Sequence, residues 1–177
     1  IVAVVIKISG RKPATRLGLF VCGTYGTYGT YGTMIIKDTT GQRGKAAEKA
    51  IEGVLKKWND KANFAYWRLP DSRSARSYLA AQPGDFVYFA DPYAGIIEVK
   101  ETSHPVRISK DKISQLPNLH KLSLAGAHSV VVVHHSATKL WRAIHPHQLP
   151  FGAASWDLSG FTTFETAEAA LISTGLF

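Results

Sequence analysis

Apolar and polar positions along the 177 residues follow two distinct rhythms. Ala47, Ala50, Ile51, Val54, Leu55 and Trp58 recur at helical spacing, which predicts an amphipathic helix over residues 42–58. Thr39-x-x-Gln42 reads as a capping box at its start, and Asn59-Asp60 suits its end. FAYWRL, 64–69, reads as a strand, and residues 70–83 read as a loop because they hold Pro, Asp, Ser, Arg and Gly. Two apolar runs between 84 and 101 predict a hairpin. Ser109 is placed to cap a helix over 110–116, which Pro117 kinks or interrupts before a second turn to about 125. HSVVVVHH and KLWRAIH flank Ser136-Ala137-Thr138 and predict a second strand pair, and the four valines imply burial on both faces. TFETAEAALIS, 163–173, predicts a closing helix. This order predicts an α/β domain, a central mixed sheet flanked by helices on both sides.

The hairpin carries the candidate chemistry. In PGDFVYFADPYAGIIEVKET, 83–102, Glu98-Val99-Lys100 puts a carboxylate and an ammonium on one strand face, because side chains alternate with period 2. If Asp91-Pro92-Tyr93-Ala94 is the loop, Ala90 pairs with Gly95, Lys100 with Asp85 and Glu98 with Val87. Asp85, Glu98 and Lys100 then share one face, while Phe86, Tyr88, Ile97 and Val99 point into the core. An even-numbered loop is required, since a one-residue slip would turn Asp85 inward. Two carboxylates beside a lysine suit a divalent cation and a water nucleophile, the chemistry of phosphodiester hydrolysis.

Composition widens this picture only slightly. The length suits one domain of ordinary size. A net charge of +8, from 21 Lys+Arg against 13 Asp+Glu, favours a polyanionic partner. A single cysteine, Cys22, excludes an intrachain disulfide and points to an intracellular setting, in cytoplasm or nucleoid and compatible with a phage-encoded origin. No apolar run approaches a membrane span, so no membrane partner is expected. Residues 1–33 stand apart: IVAVVIKI is followed by CGTYGTYGTYGT, a low-complexity repeat too rich in glycine to build a core unaided. Met34, the only methionine, follows the repeat. The segment also supplies Lys7, Arg11, Lys12 and Arg16 without any acid. The expected organisation is therefore an atypical segment over 1–33, a leader or appended strand, and a catalytic domain over 34–177.

Three further positions bear on the site. Glu48 lies three residues before Ile51 and seven before Leu55, at the edge of the buried stripe, where an acid needs a partner such as Lys45 or Lys49 or a role in a metal cluster. Arg68, Arg73 and Arg76, set among serines just before Asp85, suit phosphate-backbone contact. Gln115, beside Ile113 and Leu116, places an amide where it can orient a water or touch DNA. His134, His135, His145 and His147 do not make a zinc site, because His134 and His145 fall roughly 20 Å apart along the strands.

The strings GQRGKAAEKAIEGVLKKW, WRLPDSRSA, PGDF, IIEVKET and ISQLPNLHKL together resemble the PD-(D/E)XK nuclease superfamily, and within it Holliday-junction resolvases of the archaeal and RecU types, over about residues 40–146. The resemblance implies a restriction-endonuclease-like core. It assigns Glu48, Asp85 and Glu98 to Mg²⁺, with Mn²⁺ able to substitute, and Lys100 and Gln115 to the catalytic set. It further implies DNA as partner, branched or double-stranded, contacted by Lys45, Arg68, Arg73 and Arg76. A homodimer is expected because two strands must be cut, and no small-molecule organic cofactor is expected. The sequence departs from the family pattern in having Pro-Gly-Asp in place of Pro-Asp, and in its long loop before the acid. A sequence-specific homing or restriction-type endonuclease and a non-catalytic DNA-binding recombination accessory protein remain as alternatives.

Overall fold

The computed structural model describes residues 4–5, 20–21, 40–70 and 82–175. The chain divides into two units, Ile1–Thr39 and Thr40–Phe177. In the first, β1 (Val4–Val5) pairs antiparallel with β2 (Phe20–Val21). The Gly-Thr-Tyr repeat, Cys22, Met34, Arg73 and Arg76 lie outside the described residues.

The second unit is built on a five-stranded mixed sheet. Its strands are β3 (Phe64–Arg68), β4 (Phe86–Ala90), β5 (Tyr93–Thr102), β7 (His128–His135) and β8 (Leu140–Ile144), in that spatial order. The central pair, β5 and β7, is parallel and the other three pairings are antiparallel. One face is covered by α1 (Thr40–Trp58) and α3 (Ala167–Ile172). The other is covered by α2 (Leu116–Leu124) and by the small antiparallel pair of β6 (Arg107–Ser109) and β9 (Ser155–Asp157).

The valine run explains why the sheet centre is dry on both sides. Val130 and Val132 pack with Ile51, Leu55, Ile97 and Val99 on the α1 face. Val131 and Val133 pack with Ile96, Leu119 and Ile144 on the α2 face. The α1 stripe is buried as its spacing predicts at Ala47, Ile51, Val54, Leu55 and Trp58, but Ala50 is exposed. Thr166 caps α3, its hydroxyl accepting from the Ala169 N–H at 3.1 Å.

Several expectations need correction. The β4–β5 turn has two residues, Asp91-Pro92, joined by a cis peptide, so Ala90 pairs with Tyr93 and not with Gly95. Val87 accordingly faces Ile96, not Glu98, and no pairing joins Lys100 to Asp85. The shift is two residues, so every side chain keeps its face. The β7–β8 turn is longer than expected: Lys139 takes a positive φ of 63°, and His135 pairs with Leu140. Pro117 opens α2 within its first turn, where its missing N–H costs nothing, and the residues before it form only a 3₁₀ turn, Lys110–Ile113. The β6–β9 pair had no forecast, because three-residue strands leave no readable periodicity.

Candidate active site

The site gathers where β4 starts beside the middle of β5. Asp85 sits one residue before β4 and is tied by backbone on both sides. The Leu69 N–H donates to its carbonyl at 2.8 Å, and its own N–H donates to the Ile97 carbonyl at 3.0 Å. Its Oδ2 accepts from the Val99 N–H at 2.7 Å, so the carboxylate lies against the β5 backbone between Glu98 and Lys100.

Glu98 is 0 % exposed. Its Oε1 lies against the Lys100 ammonium in an ion pair, while Oε2 has no hydrogen-bond partner. Burial pushes the carboxyl up from the ordinary 4.5 to about 7; the Lys100 charge pulls it down, and Asp85 and Glu48 push it up again. Those couplings place Asp85 and Glu48 within electrostatic reach of Glu98. Its position follows from the alternation of β5: Ile97 and Val99 enter the α1 core, so Glu98 and Lys100 must face the α2 side.

Glu48 is held by Arg68, whose Nη2 donates to Glu48 Oε2 at 2.5 Å, while Nη1 donates to Glu52 Oε2 at 3.0 Å. Arg68 also lies over the Phe86 ring, 5.8 Å from its centroid. Alternation along β3 turns Arg68 to the α1 face, where the two glutamates, one helical turn apart, can both reach it. Glu52 was not singled out in the sequence; its position four residues after Glu48 was the available signal.

Gly84 gives the Pro-Gly-Asp departure a physical reason. It is buried, and a Cβ there would strike the Ile96 side chain, stand 3.1 Å from the Ile97 carbonyl and 3.5 Å from Glu98 Oε2. Bare backbone therefore lies over the glutamate at a point where no side chain fits.

Two further expected residues lie on or beside the flanking helices. Lys45 is exposed on α1. Gln115 precedes α2, with its amide oxygen accepting from the Ser114 hydroxyl at 3.0 Å, and no described contact joins it to the carboxylates. The histidines sit at opposite ends of β7: the His145 ring is 5.1 Å from His128 and 5.6 Å from His147, whereas the His134 ring lies tilted against Trp141 at 4.5 Å. On the α1 face, buried Glu101 is paired with Arg43 at 3.5 Å.

Among the described residues, no three His, Cys, Asp or Glu side chains converge at metal-holding distance. Arg68 and the Val99 amide engage the heads of Glu48 and Asp85. The donor chemistry nevertheless fits a hard divalent cation. Arg68 pairs with Glu48 and Glu52, Lys100 pairs with Glu98, and Glu98 Oε2 is an oxygen acceptor buried without a hydrogen-bond partner.

No protein-family model and no curated protein matches the chain. Among solved structures it is similar to Hjc, a Holliday junction resolvase from the archaeal hyperthermophile Archaeoglobus fulgidus. Identity is 22% and the TM-score 0.46, over 73% of this chain and 99% of that one.

Proposed function

We propose that this chain is a Mg²⁺-dependent DNA endonuclease of the PD-(D/E)XK type, structure-specific in the manner of Holliday-junction resolvases. The observation that carries the proposal is Glu98: a carboxylate sealed from water, raised to about 7, with one oxygen on Lys100 and the other unpartnered. Buried carboxyls raised this far by desolvation beside a specific charge partner cluster at functional sites. The motif strings of the sequence supply the superfamily and the resolvase type.

Asp85 and Glu98, with Glu48, would hold the cation. Bound there, it neutralises phosphate charge and lowers the pKa of its water. Lys100 contributes a fixed positive charge beside Glu98, placed to donate to a non-bridging phosphate oxygen as negative charge develops. The Val99 N–H holds the Asp85 carboxylate in orientation. A two-fold homodimer would present two such sites to two strands.

The test is cleavage of a four-way junction and of linear duplex by the purified chain with Mg²⁺ or Mn²⁺. The junction should be cut. Lys100→Ala should slow cutting by roughly 10²–10³-fold, the scale for losing one transition-state donor. Glu98→Ala should abolish cutting, with DNA binding kept in both variants. Unchanged cleavage by both overturns the assignment. Cutting of linear duplex at fixed sequences would move the reading to a homing or restriction-type enzyme. The grip of Arg68 on Glu48 favours a second reading, a non-cutting DNA-binding protein, which predicts no product with either metal.

A further inference from the structure

Trp67 and Phe89 form an aromatic pair on the outer part of the sheet, and the pairing fixes which face they occupy. Trp67 pairs with Val87 and Ala65 with Phe89, and paired residues share a face. Val87 packs into the core on the α2 side, so both rings lie on the face of Ile96, Glu98 and Lys100. There α2 packs on β7, while the Trp67 and Phe89 rings on β3 and β4 stay exposed. Trp67 is 57 % exposed and Phe89 50 %, whereas Trp58, Trp141 and Trp156 are all buried. The two ring centroids are 5.7 Å apart at an interplanar angle of 80°, an edge-to-face contact. Val87, opposite Trp67, is two residues from Asp85, about 7 Å along the strand. A groove of about 410 Å³ runs beside Phe89, between Ala65, Tyr93 and Ala94, within the ~300–1,000 Å³ range of small-ligand sites.

We propose that Trp67 and Phe89 are a stacking platform for an unpaired nucleobase of the DNA whose backbone occupies the Glu98 site. The proposal rests on the nuclease reading above and adds what that reading lacks, a means of recognising DNA whose bases are not all paired. Exposed aromatic rings bind nucleobases without sequence preference, because every base has a π-face. Two rings bury only ~150–250 Å² each, well short of the ~800 Å² per partner of a stable protein interface. Val87, opposite Trp67, is two residues along the strand from Asp85, in a chain of net charge +8. Those three facts select a flat ring on a polyanion over a second copy of the protein.

Trp67 is also the exposed tryptophan of the four, so its emission reports the contact. The full chain, in EDTA so that no cleavage occurs, is titrated with short oligodeoxythymidine and separately with blunt duplex. Oligodeoxythymidine should quench the red-edge tryptophan emission, and blunt duplex should not. Trp67→Leu should lose the quench and bind oligodeoxythymidine roughly tenfold or more weakly, with duplex affinity unchanged. Trp67→Phe, which keeps a ring, should retain affinity. Far-UV circular dichroism confirms that the variants fold. Unaltered emission at saturating oligodeoxythymidine overturns the platform, as does a Leu variant whose oligodeoxythymidine affinity equals that of wild type. Loss of self-association in Trp67→Leu with DNA affinity intact also overturns it, and would assign the rings to a protein contact. Because the titration needs no catalysis, absence of cleavage with metal would sink the nuclease reading while leaving this result standing.

Discussion

Replacing Glu98 with glutamine should change the pH dependence of stability in one direction and by a calculable amount. The carboxyl ionises near 4.5 when the chain is unfolded and near 7 in the fold, chiefly because it is buried. The folded state thus binds the proton more tightly. Its contribution is fully present below about 4.5 and is lost as pH rises through about 7. At ~1.4 kcal/mol per pH unit, the ionised glutamate costs the native state about 3 kcal/mol above that window. His128, His134, His135 and His145 act oppositely. Burial holds each below 6.5, so their contribution is present above that value and fades as pH falls. Wild type alone would blend the two slopes, and the difference between wild type and Glu98→Gln isolates the carboxyl. The shift to about 7 already contains the Lys100 attraction, so Glu98→Gln should be more stable than wild type by about 3 kcal/mol at ~pH 8. That is roughly 6–12 °C in Tm at ~2–4 °C per kcal/mol, and the two proteins should converge only below about pH 4.5. Thermal unfolding at several pH values measures this directly. Saturating Mg²⁺ should stabilise wild type at the higher pH and leave Glu98→Gln unmoved. Parallel pH profiles for the two proteins would refute the account of Glu98 as a buried, destabilising acid.

Other outcomes follow from the same geometry. Gly84→Ala forces a methyl against Ile96 and the Ile97 carbonyl, and should cost ~1–3 kcal/mol in urea unfolding; stability equal to wild type would show that the backbone there yields freely. Thr166→Ala removes the hydroxyl cap of α3 and should cost ~0.5–2 kcal/mol, read as a lower Tm with cleavage unchanged.

Much of the sheet was legible because its signals are local. The valine run, the helical stripe ending at Trp58 and the apolar alternation of β4 and β5 each state their burial within a few residues. Register was not, since it depends on turn geometry: two residues at Asp91-Pro92 and a left-handed Lys139 shifted both hairpins. The even shift preserved the faces of Glu98 and Lys100, and their ion pair was readable because they are two residues apart on one strand. Contacts between distant segments left no local trace. Glu48 falls on Arg68, twenty residues away. Gly84 looked like an insertion in sequence and has a steric reason only in three dimensions.

The valines of β7 also define how this molecule opens. Their amides lie in a strand bonded to neighbours on both edges and sealed above and below, so no local fluctuation brings solvent to them. Deuterium should therefore enter at residues 130–133 only when the whole unit comes apart. The exchange rate of that short stretch becomes a direct gauge of global unfolding free energy, against which looser motions near the β4–β5 turn can be ranked.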